Sequence, residues 1–345
     1  MKVLVTGATG FLGSHLVPLL REGGHQVRAL ARSAIPAAWR QGERPVEAVQ
    51  ASLQDREAVR AALEGVEAIY HLAGLVSFRN EDSRQMYELH VDATRDLLAD
   101  VQALGTRPRV ILASTSGTIA VSATERVGTE ADDYPLEAVG RWPYYLSKIY
   151  EEKLALQTCR RAEIPLVVLN PSLLMGPGDA RLSSTWTVVK FLQRDIPAMP
   201  GGGMSFADAR DVAAAAVQAL TRGELYGRHL MGVNLSMSDF FHRLERLTGV
   251  PAPRVRLPKL ATIAGAHLLD RVAAWRGTRT ALDPQEVEVG EHWFWLDPSK
   301  AEALLGFKAR DPYETLHDTV QDVLSRLPPN ERPGLKGSIP ARRER

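Results

Sequence analysis

The first twenty residues combine an apolar run, a glycine-rich turn and an amphipathic stretch, and this order restricts the possible folds more than any other feature. Residues 1–6 read MKVLVT, residues 7–13 read GATGFLG, and leucines then recur at positions 12, 16, 19 and 20. These patterns predict a strand, a turn and a helix. Such a turn lets backbone N–H groups at a helix N-terminus approach a pyrophosphate without interference from a Cβ atom.

The glycine spacing is G-x-x-G-x-x-G, from Gly7, Gly10 and Gly13, whereas the dinucleotide fingerprint is G-x-G-x-x-G. A strand–helix turn that binds no ligand is the alternative interpretation. A P-loop is not indicated, because no Lys-Ser or Lys-Thr pair follows the last glycine. The flanking strand and helix favour a dinucleotide site.

Apolar runs and helical stretches alternate through the first half of the chain. The patterns predict strands at 26–31, 67–72, 110–114 and 166–169, and helices at 55–63, 83–104 and 144–163. Alternation of this kind predicts parallel βαβ units in a doubly wound α/β sheet.

The second half changes character, because prolines and Gly201-Gly202-Gly203 break it into short elements. We expect a dinucleotide-binding domain and a smaller, mixed C-terminal lobe that binds the substrate. The predicted division is 1–170 with 205–225 for the domain, 171–204 with 226–325 for the lobe, and a disordered tail at 328–345.

Composition excludes several classes of protein. The 345 residues carry a net charge of +1, so no overall field attracts nucleic acid. Cys159 is the single cysteine, which excludes an internal disulfide and a multi-cysteine metal site and fits a reducing compartment. The first residues lack the pattern of a signal peptide. We therefore expect a cytoplasmic protein with no nucleic-acid partner and no metal.

No stretch approaches the ~18 charge-free apolar residues that a membrane span requires. The segment 257–275 comes closest, but it contains Lys259, His267, Asp270 and Arg271. We expect an amphipathic helix there that covers a pocket or a partner, with peripheral membrane contact as a second interpretation.

Tyr144 and Lys148 are four residues apart at the start of a predicted helix, which places them on one face with Cβ atoms roughly 5–6 Å apart. A nearby ammonium lowers the pKa of a phenol from about 10. A phenol tuned in this way can exchange a proton with an alcohol or ketone. The alternative is a solvated helix face.

Hydroxyl side chains follow the predicted strand at 110–114, in Ser114-Thr115-Ser116. Ligands of a doubly wound sheet lie beyond the carboxyl ends of its strands, where hydroxyls can donate to a substrate oxygen. These hydroxyls could instead satisfy the backbone at the strand end. The glycine turn, the hydroxyls and the Tyr/Lys pair in this order favour a catalytic set.

The chain resembles the extended short-chain dehydrogenase/reductase family over residues 1–325, in the branch with dihydroflavonol 4-reductases and 3β-hydroxysteroid dehydrogenases. The resemblance rests on TGATGFLG at 6–13, HLAG at 71–74 and the Tyr144…Lys148 motif. Further support comes from NPSLLMGPGD at 170–179, ARDVA at 209–213, and DPSKA with LGF between 297 and 307. It implies a Rossmann domain that holds NAD(P) and a smaller C-terminal lobe.

The resemblance also implies residue roles. Tyr144 would be the proton donor or acceptor, and Lys148 would lower its pKa and bind the nicotinamide ribose. Thr115 would be the catalytic hydroxyl, with Ser116 as the fallback. The other residues expected at the cofactor are Gly7, Thr9, Gly10, Phe11, Leu12, Gly13, Ser52, Leu53, Leu72, Ala73, Gly74, Asn170 and Ser172. Ser52 and His90 depart from the family pattern, which has Asp and Asn at these positions.

The end of the second predicted strand bears on the choice of cofactor. An NAD enzyme usually has Asp or Glu there, whereas Arg accommodates a 2′-phosphate. This chain has Arg32 and Ser33, which can bind a phosphate, so we predict NADP rather than NAD. An ordinary surface arginine is the alternative.

These observations predict an NADPH-dependent reductase of a hydrophobic ketone or aldehyde, or the reverse dehydrogenase. The family resemblance implies a homodimer through the helices at 83–104 and 144–163. The predicted pocket residues are Val76, Phe78, Met175, Trp186, Met204 and Phe206. One alternative is an NAD-dependent nucleotide-sugar epimerase or dehydratase, with Arg181, Lys190, Arg194 and Arg210 as candidate pyrophosphate ligands. Another is a non-catalytic NADP-binding sensor.

Overall fold

The structure is a computed structural model that describes residues 1–105, 107–275 and 283–328. Nearly all of the tail predicted at 328–345 therefore lies outside the described residues. The ten strands are β1 (Lys2–Thr6), β2 (Gln26–Ala31), β3 (Glu47–Gln50), β4 (Ala68–His71), β5 (Arg109–Ala113), β6 (Leu166–Pro171), β7 (Leu173–Met175), β8 (Gly203–Asp208), β9 (Arg228–Met231) and β10 (Val233–Ser236).

Seven of these strands form one parallel sheet in the order β3-β2-β1-β4-β5-β6-β9. Strand β1 lies between β2 and β4, with Val3 opposite both Val27 and Ala68. The order reverses at β1, and the carboxyl ends of the strands meet at one edge of the sheet, where doubly wound folds bind ligands. The fold class predicted from the sequence, an α/β Rossmann-type sheet with a smaller mixed lobe, is confirmed.

Thirteen α-helices connect the strands or cover the sheets in the described residues. They are α1 (Phe11–Glu22), α2 (Arg56–Leu63), α3 (Ser83–Tyr87), α4 (Ala93–Ala103), α5 (Leu136–Val139), α6 (Pro143–Ala162), α7 (Trp186–Gln193), α8 (Ala209–Gln218), α9 (Met237–Thr248), α10 (Lys259–Trp275), α11 (Pro284–Gly290), α12 (Ser299–Leu305) and α13 (Pro312–Arg326). The helix predicted at 83–104 is present as α3, a π-helical turn at Glu88–Asp92, and α4.

Helices cover both faces of the main sheet. Helices α1, α8 and α12 bury residues such as Leu16, Ala215 and Leu305 against one face. Helices α2, α4 and α6 bury residues such as Leu97 and Cys159 against the other. Burial of a large aliphatic side chain stabilises the fold by about 1.5–3 kcal/mol. This two-sided core explains why the strands are continuous apolar runs in the sequence.

The smaller lobe contains a three-stranded sheet in the order β10-β8-β7. Strand β8 pairs antiparallel with β10 and parallel with β7. Helices α7, α9 and α13 pack together over this sheet and share a core with it, which includes Phe191, Phe240 and Val320.

The structure assigns two segments differently from the predicted division of the chain. Arg228–Met231, predicted in the smaller lobe, is β9 and pairs in parallel with β6, with Leu230 opposite Asn170. Helix α12, also predicted in the lobe, buries Ala301 and Leu305 in the core of the main domain. Both elements are short, so the pattern of their apolar residues is not long enough to predict which domain they pack in.

Helix α10 covers 259–275, within the segment where an amphipathic helix was predicted, and it packs mainly beside α11. In the ranges that the structure describes, no helix combines the length and the apolar character that a membrane crossing requires.

Candidate active site

The glycine turn after β1 is shaped by close backbone contacts. Gly7 has a φ of +68°, and a Cβ there would lie 2.7 Å from the backbone N of Ala73. A Cβ on Gly13 would lie 2.5 Å from the carbonyl oxygens of Gly7 and Ala8. The turn therefore packs directly against the Leu72-Ala73 backbone after β4, and larger residues cannot occupy either position without a backbone shift.

The start of α1 is suited to an anion. Gly10 is the N-cap residue and has no side chain to cap the helix, and the first turn contains no acidic residue. The first N–H groups of a helix lack intrahelical partners and carry partial positive charge. The Gly10 N–H donates to the carbonyl oxygen of Gly7, at 2.9 Å, so the N–H groups of Phe11 and Leu12 are the ones suited to an anion such as the predicted pyrophosphate.

Arg32 and Ser33 follow directly after β2, next to the glycine turn, and both are exposed. The Thr9 hydroxyl lies 3.5 Å from that of Ser33, so the turn and the end of β2 share one surface. Leu53 is buried in the core, whereas Ser52 is half-buried and accepts a hydrogen bond from the backbone N–H of Gln54. A guanidinium at this edge can pair with a phosphate.

Tyr144 lies in the first turn of α6, where Pro143 is the first helical residue. Its pKa is raised above the ordinary value, chiefly by burial and also by Glu151, and a hydrogen bond with the Thr115 side chain opposes the rise. The lowering of this pKa by Lys148 that the sequence predicts is opposed by burial and by Glu151, whose carboxylate pairs with the lysine ammonium.

Lys148 lies one turn after Tyr144, as predicted, and only 4% of it is exposed. Its Nζ donates to the carbonyl oxygen of Ala113, at 2.8 Å, and forms an ion pair with Glu151. The ammonium is thus fixed between the end of β5 and its own helix.

Thr115 and Ser116 differ in accessibility. Ser116 is 3% exposed, whereas Thr115 is half-buried and hydrogen-bonds to Tyr144. The Thr115 Oγ1 also accepts a bond from the N–H of Gly117, at 3.3 Å. Of the two candidate hydroxyls, Thr115 is the one that the structure brings to Tyr144.

The side chains of Asn170 and Ser172 are buried and form hydrogen bonds within the protein. Asn170 is fully buried, donates to Glu152 Oε2 at 2.9 Å and to Thr118 Oγ1 at 3.2 Å, and accepts from the N–H of His229. The Ser172 hydroxyl donates to the carbonyl oxygen of Met231. These bonds give both residues a role in joining β6 to its neighbours.

Glu152 was not selected from the sequence. It is fully buried on α6 and also accepts hydrogen bonds from the hydroxyls of Ser114 and Thr118. Its signal in the sequence is its spacing: it lies four residues after Lys148, which puts it on the same buried face of the helix.

The six predicted pocket residues divide into two groups. Trp186 and Val76 are exposed, and Phe78 is half-buried. Met175, Met204 and Phe206 are instead buried in the core of the smaller lobe, which corrects their prediction as pocket residues. Residues on β7 and β8 that face the lobe helices are apolar because they pack in the core. The sequence alone does not distinguish such a core residue from one that contacts a ligand.

A cavity of about 390 Å³ lies in the smaller lobe. Its lining combines Met199, Pro200, Leu257 and Trp293 with the polar residues Ser236, Ser238 and Arg256. This apolar lining with a few polar groups is typical of small-molecule sites.

The fold, the glycine turn and the Thr115, Tyr144 and Lys148 cluster define an NAD(P)-dependent enzyme of the extended short-chain dehydrogenase/reductase type. A model of the NAD dependent epimerase/dehydratase family matches residues 3–230, so the chain belongs to that family. The family resemblance inferred from the sequence is thereby confirmed.

Named relatives include reductases. A Synechocystis protein named dihydroflavonol 4-reductase is 31% identical over 326 residues, which cover 92% of each chain. Sterol demethylase protein B of Methylococcus capsulatus is 33% identical over 75% of this chain and 78% of its own. Among solved structures, that of gox2253 has a TM-score of 0.79 and 25% identity, and the match covers 95% of this chain and 99% of that one.

Proposed function

We propose that the protein is an NADPH-dependent reductase of a ketone or aldehyde on a hydrophobic small molecule, able to catalyse the reverse oxidation of a secondary alcohol. The observation that carries this proposal is the cluster of Thr115, Tyr144 and Lys148 at the carboxyl end of β5. It lies at the same edge of the sheet as the glycine turn.

The chemistry divides between the cofactor and the protein. Bound NADPH supplies the hydride to the carbonyl carbon. Tyr144 donates a proton to the carbonyl oxygen, and the Thr115 hydroxyl donates a hydrogen bond to the same oxygen as negative charge develops there. Lys148 would bind the ribose hydroxyls of the cofactor, and its ammonium is carried one turn after the phenol on the same helix.

Reduction uses the protonated form of Tyr144, because the phenol donates its proton to the carbonyl oxygen. Burial and Glu151 raise the pKa of Tyr144, which favours this protonated form.

The choice of NADPH rests on Arg32. Strand β2 ends without a carboxylate, and Arg32 with Ser33 presents a cation and a hydroxyl where the adenosine 2′-phosphate would bind. A carboxylate there would accept from the free 2′-hydroxyl of NAD instead.

The proposed substrate class rests on apolar side chains. Val76, Phe78 and Trp186 can offer apolar contacts, and the cavity of the smaller lobe is lined by both apolar and polar side chains. Relatives named dihydroflavonol 4-reductase and sterol demethylase protein B suggest polycyclic or aromatic molecules.

The nucleotide-sugar alternative needs cations for a second pyrophosphate, and two of the four candidates are engaged elsewhere. Arg210 forms ion pairs with Asp208 and Asp318, and Lys190 pairs with Glu286. Solved structures with nucleotide-sugars, such as MoeE5 with UDP-glucuronic acid and NAD, share the fold at 24% identity and a TM-score of 0.70.

The test is a screen of NADPH oxidation against hydrophobic ketones and aldehydes, with UDP-sugars assayed in parallel for epimerisation. We expect turnover of at least one carbonyl compound and its loss by a factor of about 10²–10⁴ in Tyr144→Phe. Conversion of a UDP-sugar with a cofactor retained through purification would replace the proposal. Unchanged turnover in Tyr144→Phe would remove its catalytic basis.

A further inference from the structure

We infer that Glu151 is a positioning residue of the catalytic set: its buried carboxylate holds the Lys148 ammonium and offsets its charge beside Tyr144. The inference rests on the proposed function, since it concerns the Tyr144 and Lys148 pair. Neither the sequence motif nor the expected catalytic set includes Glu151.

The geometry places Glu151 directly at the lysine. It lies three residues after Lys148 on α6, the two side chains form an ion pair, and Glu151 is 0% exposed. Loss of one partner from a buried ion pair leaves an uncompensated charge, which is strongly destabilising. The Lys148 ammonium therefore cannot move away from the carboxylate without a new partner, and the Ala113 carbonyl fixes its direction.

The other oxygen of Glu151 ends a chain of buried hydrogen bonds that starts beside the glycine turn. The N–H of Ala73 donates to Thr6 Oγ1, whose hydroxyl lies 2.9 Å from His71 Nδ1. His71 Nε2 lies 2.8 Å from Thr94 Oγ1, which donates to Glu151 Oε1 at 3.3 Å.

These contacts fix which group donates and which accepts at each step of the hydrogen-bond series from Ala73 to Glu151. Because Thr94 donates to Glu151, His71 donates from Nε2 to Thr94 and accepts from Thr6 at Nδ1. The neutral imidazole that this arrangement requires agrees with the pKa of His71, which burial and Lys148 lower to about 3. This series of hydrogen bonds joins the Ala73 backbone, against which Gly7 packs, to the carboxylate that holds Lys148.

The charged and titratable groups around Glu151 come from three elements. Lys148, Glu152 and Tyr144 are on α6, His71 is at the end of β4, and His90 is on the π-helical turn. Burial raises the pKa of Glu151 to about 7, against the lowering effects of Lys148 and Thr94. The anionic carboxylate in turn raises the pKa of Tyr144.

The sign of the effect follows from these charges. With Glu151 ionised, the lysine charge is offset and Tyr144 keeps its proton to higher pH. With a neutral residue at 151, the ammonium acts on the phenol unopposed, and the pKa of Tyr144 falls.

The first measurement is the pH profile of kcat/KM for carbonyl reduction in the wild type and in Glu151→Gln. Reduction needs the protonated phenol, so activity is lost on the alkaline limb of the profile. We expect this limb to move toward lower pH by about one unit, a tenfold change in the ionisation constant. Glu151→Asp should restore part of the shift, and Glu163→Gln, an exposed carboxylate beyond the end of the same helix, should leave the profile unchanged.

The second measurement needs neither substrate nor cofactor. Ultraviolet titration of tyrosine ionisation should show one phenol that ionises at lower pH in Glu151→Gln than in the wild type. The difference should vanish when Tyr144→Phe is present in both proteins. If Glu151→Gln does not fold, the same titration is made on Glu151→Asp, which shortens the reach to Lys148 and should give a smaller shift of the same sign.

The two measurements separate failure of this inference from failure of the proposed function. An unchanged titration in a folded Glu151→Gln protein would overturn the inference even if carbonyl reduction is found. An unchanged alkaline limb with only a lower melting temperature would assign Glu151 a purely structural role. A Tyr144-dependent titration shift in a protein that reduces no carbonyl would support the inference and reject the reductase.

Discussion

His90 Nδ1 lies 2.8 Å from the Ser147 hydroxyl, and the His90 ring thereby joins the loop after β4 to the helix that carries Tyr144. The opposite nitrogen, Nε2, accepts from the N–H of Leu75 at 3.0 Å. Since a backbone N–H only donates, Nδ1 carries the proton and donates to Ser147, which donates to the carbonyl oxygen of Tyr144. The departure from the family pattern at position 90 is therefore a structural link within the site.

We predict that His90→Ala destabilises the protein by roughly 1–3 kcal/mol, because it leaves the Leu75 N–H without its acceptor. It should also lower kcat more than it raises KM, since the start of α6 loses its tie to the loop. Urea unfolding and steady-state kinetics measure the two effects. His267→Ala, at an exposed position on α10, is the matched control and should change neither.

A dependence of stability on pH follows from the buried histidines. Burial, together with the charge of Lys148, lowers the pKa of His71 to about 3 and that of His90 to about 2. The unfolded chain protonates its histidines near pH 6.5, so it binds more protons than the folded protein below that pH. The stability contributed by the neutral rings is present above about pH 6.5 and is lost as pH falls.

The expected loss is roughly 1.4 kcal/mol per pH unit for each histidine. Glu151 has the opposite effect on stability and offsets one histidine between its ordinary pKa of 4.5 and its raised pKa of about 7. In this range Glu151 is protonated in the folded protein but ionised in the unfolded chain, so its contribution to stability rises as pH falls. Urea unfolding between about pH 5 and pH 8 should show a shallower slope for His90→Asn than for the wild type. Equal slopes would mean that His90 is charged in the folded protein.

The glycine turn gives a test of cofactor binding that does not depend on a substrate. Gly13→Ala should weaken NADPH binding by at least about tenfold, since the new Cβ collides with the Gly7 and Ala8 carbonyls and must displace the turn. Gly265→Ala, on α10, adds a Cβ that meets no atom within 4 Å, so this variant should bind NADPH normally and be slightly more stable. Fluorescence titration with NADPH measures the dissociation constant of each variant. A wild-type dissociation constant in Gly13→Ala would show that the cofactor does not bind at this turn.

Cofactor preference should depend on Arg32. Arg32→Glu removes the cation and supplies an acceptor for a 2′-hydroxyl, so we predict that the Kd for NADPH rises by about 10- to 100-fold while that for NADH falls. Arg40→Glu, a nearby exposed arginine, is the charge-matched control. A parallel change in both dissociation constants would identify Arg32 as an ordinary surface residue.

The sequence predicts the main sheet well because its signals are local. The turn at Gly7 and the helix that begins near Tyr144 follow from spacing alone, and both are where they were predicted. The electrostatics of Tyr144 could not be predicted in this way. They depend on Glu151, whose contacts with Lys148 and Thr94 arise from tertiary packing of α6 against α4 and β5.

The same distinction explains the errors in the smaller lobe. Met204 and Phe206 alternate along β8, and an apolar residue on a short strand has the same appearance in sequence whether it lines a pocket or a core. Only the position of α9, which covers that face with Phe240, decides between the two.

The proposed homodimer makes a last prediction. Tyr87 on α3 and Tyr150 on α6 are each 45% exposed, and their rings meet edge to face at 6.3 Å. They form an aromatic patch on the two helices through which a dimer is expected, and tyrosine is enriched in protein interfaces. Tyr150→Asp combined with Tyr87→Asp should therefore give a folded monomer in sedimentation velocity. Leu260→Asp changes an 83% exposed residue on α10 and should leave the dimer intact. Dissociation by Leu260→Asp alone would instead place the interface on α10.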